Sequence, residues 1–370
     1  MKFADVLEIK NGRNQKQVEN PNGKYPIYGS GGIMGYADDY ICEPQTVIIG
    51  RKGTINNPIY VETPFWNVDT AFGLQAKKEI LHPKYLFYFC VHFNFESLNT
   101  TVTIPSLTKA NLLNIDIPLP SMSEQIAIVD VLGQIDALIA DRKQQQVQLA
   151  ELVKSRFIEM FGDPMENPMG WDRVNISTVV GGKVSNGFFA KRDDYCEDGN
   201  VKVLGVAHVV NRMYSNIEDL PTTNGSEVDV AKYGVKYGDM LFCRSSLVAA
   251  GIGKASIVPK ETPDNVLFEC HVIRLPLDLD KCVPEFMQVL SSSDYFRNQV
   301  IAQSKTATMT TIGQDGILKT DIILPPLDLQ KQFLEFVEQT DKLKLDMQYT
   351  ITRYLTWLNP YFNKKTLDGW

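Results

Sequence analysis

The residues best suited to chemistry are cations placed beside flexible or hydroxyl-bearing backbone. Arg51 and Lys52 follow the apolar run Val47-Ile48-Ile49-Gly50 and precede Gly53-Thr54, so two cations stand at an expected loop tip. Such a pair suits contact with a phosphate or with the acceptor edge of guanine, a solvated turn being the plainer alternative. Gly29-Ser30-Gly31-Gly32 supplies backbone that can approach a partner closely, its amides free to face a phosphate, or else an ordinary glycine turn. Asn67, Asp69 and Thr70 fall on an expected strand, where they could meet a ligand or make structural hydrogen bonds. In the second half Arg244, Ser245, Ser246 and Lys254 form the corresponding set. Lys305, between Ser304 and Thr306, and the pair Thr100-Thr101 lie in polar stretches that could touch a ligand or cap backbone. Lys191-Arg192 is followed at once by Asp193-Asp194, which favours an exposed loop.

Other chemistries lack their residues. His82, His92, His208 and His271 have no metal-ligand spacing, and Cys42, Cys90, Cys196, Cys243, Cys270 and Cys282 contain no C-x₂-C pair. Those six read as buried free thiols. No G-x₄-G-K-[S/T] phosphate loop occurs. Asn359-Pro360-Tyr361-Phe362 lacks the second proline of an adenine-methylating [N/D]-P-P-[Y/F] string and reads as a helix stop. The sequence therefore reads as non-catalytic, with no metal site and no cofactor held in this chain.

At 370 residues the chain is long enough for two domains with connectors, and 44% hydrophobic with 22% charged residues is an ordinary globular composition. No run of about 18 apolar residues could span a membrane. Acid at Asp5 stands where a signal peptide would have its apolar core, so a cytoplasmic location is expected. A net charge of −7 argues against a protein that grips a polyanion by bulk charge. Any such grip must come from local clusters or from a basic partner.

The elements that must position these residues occur twice. Ile104–Ile139 aligns on Met309–Lys344 without a gap: Leu113 falls on Leu318, Asp116 on Asp321, Leu119-Pro120 on Leu324-Pro325, Gln125 on Gln330, and Gln134 on Gln339. Each proline-ended strand then leads into a long helical pattern. The first runs from about Glu124 to Phe161, roughly 55 Å at 1.5 Å per residue. In it Ile128, Ile135 and Leu149 recur at heptad spacing, with Val131, Leu138 and Leu152 as expected partners. In the second, Phe333, Thr340, Met347 and Tyr354 share one heptad position and Phe336, Leu343, Thr350 and Trp357 the other. This is a coiled-coil seam, for which the repeat copy is the natural partner. Ahead of each helix the chain is β-rich, with short strands at Val47–Gly50, Ile59–Val61 and Leu241–Cys243. The fold class is α+β, with four expected segments: a domain at 1–120, a helix at 121–163, a second domain at 164–326, and a helix with tail at 327–370.

That layout resembles the specificity subunits of Type I restriction–modification systems over essentially the whole chain. Lys24–Gly32, Ile48–Ile55, Phe65–Ala71, Ser155–Pro164, Tyr237–Arg244, Gly253-Lys254-Ala255 and Leu324-Pro325-Pro326 are similar to strings of that family. The second domain departs in being longer, and in having Arg244-Ser245-Ser246 where the first has Arg51-Lys52-Gly53. The resemblance implies two target-recognition domains alternating with two spacer helices paired antiparallel, a pseudo-two-fold tandem repeat. It implies a split double-stranded DNA target, two modification subunits that bind S-adenosylmethionine and methylate adenine, and restriction subunits in the same complex. The residues named above become DNA-contact candidates: Gly29, Ser30, Gly31, Gly32, Arg51, Lys52, Thr54, Asn67, Asp69, Thr70, Arg244, Ser245, Ser246, Lys254 and Lys305. A coiled-coil adaptor that binds proteins and not DNA is the competing reading.

Overall fold

The structure, a computed structural model, describes residues 1–52, 54–98, 106–306 and 308–358. Thr100-Thr101, Gly53 and the Asn359–Phe362 string lie outside these residues. The chain folds as two units, Met1–Gln144 with the stretch from Met347, and Gln145–Asp346. Each long helix contributes to both.

The first unit contains α1 (Phe3–Val6), β1 (Leu7–Asn11), β2 (Tyr25–Gly29), β3 (Gly32–Ala37), β4 (Thr46–Gly50), β5 (Ile59–Val61), β6 (Trp66–Asn67), β7 (Ala71–Ala76), α2 (Pro83–His92), α3 (Lys109–Leu113) and the first part of α4 (Met122–Phe161). Its main sheet has the order β1-β7-β4-β5, antiparallel throughout. Strand β4 is buried along its whole length because both faces are covered. Val47 and Ile49 join the core that holds Tyr85, Leu86 and Phe89 of α2, while Ile48 points the other way to Cys42, Val61 and Phe65. A smaller sheet, β3-β2-β6, stands beside it.

The second unit contains the rest of α4, then β8 (Asp172–Asn175), β9 (Ser185–Asn186), β10 (Val201–Leu204), α5 (Val206–Val209), β11 (Thr222–Thr223), α6 (Glu227–Tyr233), β12 (Asp239–Cys243), β13 (Ser245–Ser246), β14 (Ala255–Ile257), β15 (Val266–Phe268), β16 (Val272–Pro276), α7 (Pro284–Ser291), α8 (Asp294–Ala302), β17 (Lys305–Thr306), β18 (Thr310–Thr311), α9 (Gln314–Leu318), β19 (Asp321–Leu324) and most of α10 (Leu327–Leu358). Its main sheet, β9-β16-β12-β14, is again antiparallel. β12 is buried throughout like β4, with Met240 and Phe242 in one core and Leu241 in the other. Each sheet is followed by a helix with proline in its first turn, Pro83 in α2 and Pro284 in α7, where the missing N–H costs nothing.

Two buried glutamines repeat as one joint. In the first unit Gln125 Oε1 accepts from the His82 N–H (2.8 Å), and its Nε2 donates to the carbonyls of Ile80 and Pro120 (both 3.0 Å). In the second, Gln330 Oε1 accepts from the Val283 N–H (2.9 Å), and Nε2 donates to Pro325 O (2.8 Å) and Lys281 O (3.5 Å). His82 and Val283 are the N-cap residues of α2 and α7. Each glutamine thus ties the start of a long helix to the start of a domain helix, satisfying groups that burial would otherwise leave unpaired.

Three expectations need correction. Asp321–Leu324 is a strand paired with β8, but its copy makes only a single bridge, Asp116 to Lys2, because α1 begins at Phe3 and turns the chain out of further pairing. The heptad partners are displaced by one residue in both helices. Val131, Leu138 and Leu152 are 42%, 43% and 48% exposed, while Leu132, Ile139 and Val153 are buried. Likewise Leu343 is exposed and Phe336 only half-buried, whereas Val337 and Ile351 are buried. A seam alternates steps of three and four, and apolar residues occupy both places, so packing alone selects the step. The cysteines are mixed: Cys42, Cys90, Cys243 and Cys282 are buried, Cys270 is half-exposed and Cys196 exposed.

Within each unit the helices share a core. Val129, Leu132, Ile135 and Ile139 cluster with Ile351 in the first. In the second, Val153, Phe157 and Phe161 cluster with Phe333 and Val337, with the Phe157 and Phe333 rings edge-on at 5.7 Å. Gln146 Nε2 also donates to Lys344 O (3.3 Å).

Candidate nucleic-acid interface

In the first unit the hairpin between β2 and β3 and the end of β4 form one rim. Gly29 pairs with Gly32 across a tip of Ser30 and Gly31, and Gly32 takes a φ of +122°, open to glycine. A Cβ on Gly50 would stand 2.1 Å from Thr54 O and 2.9 Å from the Ser30 Cβ, so the hairpin tip and the Arg51 loop touch at a place where no side chain fits. Arg51, Lys52 and Thr54 are exposed there. The Arg51 N–H donates to Thr70 O (2.7 Å), and Arg51 O accepts from the Leu107 N–H (2.9 Å). Its guanidinium lies over the Phe72 ring, 5.8 Å from the centroid. Asp69 and Thr70 sit not on a strand but in the exposed turn between β6 and β7.

Asn67 and Gly29 are buried and present nothing to a ligand. The Asn67 amide donates to Ala71 O (3.2 Å), and its Oδ1 accepts from the Cys42 thiol (3.3 Å). Burial pushes that thiol up to about 12, which keeps the proton on sulfur for this bond. Asn67 therefore serves the fold.

The second unit builds the same feature with different side chains. The Arg244 N–H donates to His271 O (2.8 Å), and Arg244 O accepts from the Ile312 N–H (3.0 Å). Arg244 leaves buried β12 as Arg51 leaves buried β4, held by the same pair of main-chain bonds. Lys52 bridges to Ser106 in the first unit, and Ser245 pairs with Thr311 in the second. The small sheet β13-β18-β17 then brings Ser245, Ser246 and Lys305 together, since Lys305 also pairs with Thr311. The Arg244 guanidinium reaches Cys270 O (3.1 Å). Beyond Ser246 the chain turns out two aliphatic side chains, Leu247 and Val248, 83% and 62% exposed. Lys254 is set apart from this rim, with its Nζ on Asn211 Oδ1 (2.6 Å). Lys191 and Arg192 are exposed, as expected of a loop.

Sequence reasoning missed Arg13, exposed on the chain that pairs with Asn67, and His271, exposed beside Arg244. The single signal for Arg13 was a cation following Gly12 near the chain start. Among the described residues no His, Cys, Asp and Glu cluster could hold a metal, and no helix is long and apolar enough to cross a membrane.

The family described as the Type I restriction modification DNA specificity domain matches residues 1–150. The EcoKI specificity subunit of Escherichia coli K12 is 24% identical over 333 residues, covering 80% of this chain and 68% of the relative. The MjaVIII specificity subunit of Methanocaldococcus jannaschii is 25% identical over 316 residues, covering 80% and 69%. The fold is that of the crystallised Type I S subunit from M. genitalium, with TM-score 0.51 and 12% identity over 97% of this chain and 93% of that one. It is shared by a chain from the type I R-M system solved to study complex assembly and conformational transition, with TM-score 0.57 and 15% identity over 98% and 96%. Residues 1–150 thus match that family's domain, and most of the chain is similar to Type I restriction–modification specificity subunits. That similarity does not favour the adaptor reading.

Proposed function

We propose that this chain reads two short blocks of a split duplex DNA target, one with each unit, inside a Type I restriction–modification complex. The observation that carries the reading is the equivalence of Arg51 and Arg244. Each leaves a buried central strand at a glycine- or hydroxyl-rich rim, pinned by the same two main-chain hydrogen bonds. The flanking residues differ, Lys52 and Thr54 against Ser245, Ser246 and Lys305, so the blocks differ and the target need not be palindromic. The subunit recognises and does not modify. Modification subunits, two in our reading, would hold S-adenosylmethionine and methylate an adenine flipped from each block, and restriction subunits would cut unmodified DNA. The segments 1–120 and 164–326 would be the target-recognition domains. The helices in 121–163 and 327–370 would pair as an antiparallel coiled coil that spaces them, giving a pseudo-two-fold repeat. Their seams, Leu132 to Val153 and Phe333 to Ile351, support that pairing.

The test is co-expression with a modification subunit followed by single-molecule mapping of methylated adenines. A split motif is expected, altered in one block only when Arg51 and Lys52 become alanine. A stable complex that methylates without sequence preference would refute the reading.

A further inference from the structure

The second unit contains a cleft of about 470 Å³ that the reading above does not use. Its walls come from α4 (Ala150, Val153, Lys154), the loop before Tyr214, the start of β14, helices α7 and α8, and Lys344 of α10. Five cations line it, Lys154, Arg212, Lys254, Arg297 and Lys344, with no acid among the lining residues. This is unexpected in a chain of net charge −7.

The partners of these cations divide them. Lys154 is paired with Glu151 and Lys344 with Asp341, both at 2.9 Å, so two are partly neutralised by acids on their own helices. The other three meet only neutral acceptors among the described residues. Lys254 Nζ is on Asn211 Oδ1, Arg212 on the carbonyls of Ala207 (3.2 Å) and Val210 (3.3 Å), and Arg297 on those of Ala250 (2.9 Å) and Ile252. The floor is saturated, since the Gln288 amide donates to Ala255 O (2.7 Å) and Arg212 O (2.9 Å). Three cations without an acid partner, in a concavity with no acid among its lining residues, are arranged for an anion.

The cleft adjoins the recognition rim through the main chain. The Cys243 N–H donates to Lys254 O and the Gly253 N–H to Cys243 O, both at 2.8 Å, one residue before Arg244. Arg297 braces the loop between β13 and β14, which carries the exposed Leu247-Val248 tip at one end and the cleft wall at the other.

We propose that this cleft seats phosphate groups of the DNA backbone beside the block read by the second unit, with Arg212 and Lys254 touching the phosphates, Lys154 exchanging its weak surface pair with Glu151 for one, and Arg297 holding the wall. The inference rests on the DNA-reading function. Phosphates reach a protein on duplex backbone or on a free nucleotide, and the commitment here is to backbone.

The experiment uses the full chain complexed with its modification subunit. Binding to a duplex carrying the mapped motif is titrated across salt concentrations for the wild type, Arg212→Gln, and Arg212→Gln with Lys154→Gln. Each lost phosphate contact should lower the steepness of log K against log salt by about 0.9. Specific and non-specific duplexes should weaken by the same factor, and the methylation motif should stay as it was. Unchanged steepness in both variants would overturn the cleft's role. So would ATP binding to the wild-type complex that Arg212→Gln abolishes while the DNA steepness holds, which would assign the cleft to a free nucleotide. A wild-type complex without sequence-specific methylation would overturn the DNA reading itself and this inference with it, visibly before any variant is measured. Equal melting temperatures for the variants and wild type keep the comparison free of folding effects.

Discussion

Replacing Gln330 by methionine should destabilise the second unit far more than any exposed glutamine does. Methionine keeps the side chain's length and approximate volume, so no large cavity opens. What is lost is chemical. The Val283 N–H at the start of α7 and the Pro325 carbonyl at the entry to α10 both lose a buried partner, along with a weaker contact to Lys281 O. Gln330 has no exposed surface and Val283 is 5% exposed, so water cannot replace the amide without opening the joint. An unsatisfied buried group costs about 1–3 kcal/mol, and two of them give roughly 2–6 kcal/mol. In a unit of this size each kcal/mol lowers the melting temperature by about 2–4 °C, giving a fall of roughly 4–24 °C. Calorimetry of the full chain reads this directly, with Gln339→Met, at an exposed glutamine further along the same helix, as control. If the two variants melt within a degree of each other, the joint is not what holds the helix to its domain. Gln125→Met should show the same loss in the first unit.

Arg51→Ala and Arg244→Ala should each relax one block of the methylation motif and leave the other intact, at about 1–3 kcal/mol of discrimination if the arginine grips a guanine; loss of both blocks together would argue for a fold defect. Glu285 is fully buried, and its desolvation raises the carboxyl pKa although the hydroxyls of Tyr237 and Tyr214 donate to it. The folded chain therefore holds this proton more tightly than the unfolded one, and stability falls as pH rises from the ordinary glutamate range through the raised value. Glu285→Gln should flatten that slope in urea midpoints measured between about pH 4 and pH 8, and an unchanged slope would place the linkage elsewhere. Adding one heptad to each long helix, about 10 Å at 1.5 Å per residue, should widen the gap between methylated blocks by about three base pairs. An unchanged gap would show that the helices do not set the spacing.

Much of this was legible in the residues. The continuous apolar runs at Val47–Gly50 and Leu241–Cys243 announced the central strands because strands covered on both faces lose the polar alternation. The arginine after each run could be read for the same reason, since the chain must leave the sheet there. Gln125 and Gln330 were visible as a match between repeats, but not as a joint, because the His82 and Val283 N–H groups they tie down are main-chain atoms 43 and 47 residues away, whose identity carries no signal. The heptad phase failed where Val131 and Leu132 compete side by side. Asn67 could not be told from a surface amide, since its burial depends on Cys42 and Ala71. Arg212 and Arg297 escaped notice because nothing near them in sequence is basic; β14, α7 and α8 gather them in space. The sheet β11-β10-β15 of the second unit repeats the pairing of β3-β2-β6, one antiparallel and one parallel neighbour, but pairing pattern is a main-chain property that its residues do not announce.

The bonds that fix Arg51 and Arg244 run from main chain to main chain. The side chains add only a ring contact from Arg51 to Phe72 and one bond from Arg244 to Cys270 O, so another residue would be presented from the same point with little penalty to folding. On the proposed reading, single changes at 51 and 52, or at 244 to 246, would rewrite what one unit reads, while sterics and burial constrain Gly50, Gln125 and Gln330. Lineages carrying such a chain could acquire new target sequences one half at a time, each intermediate still folded and still able to assemble.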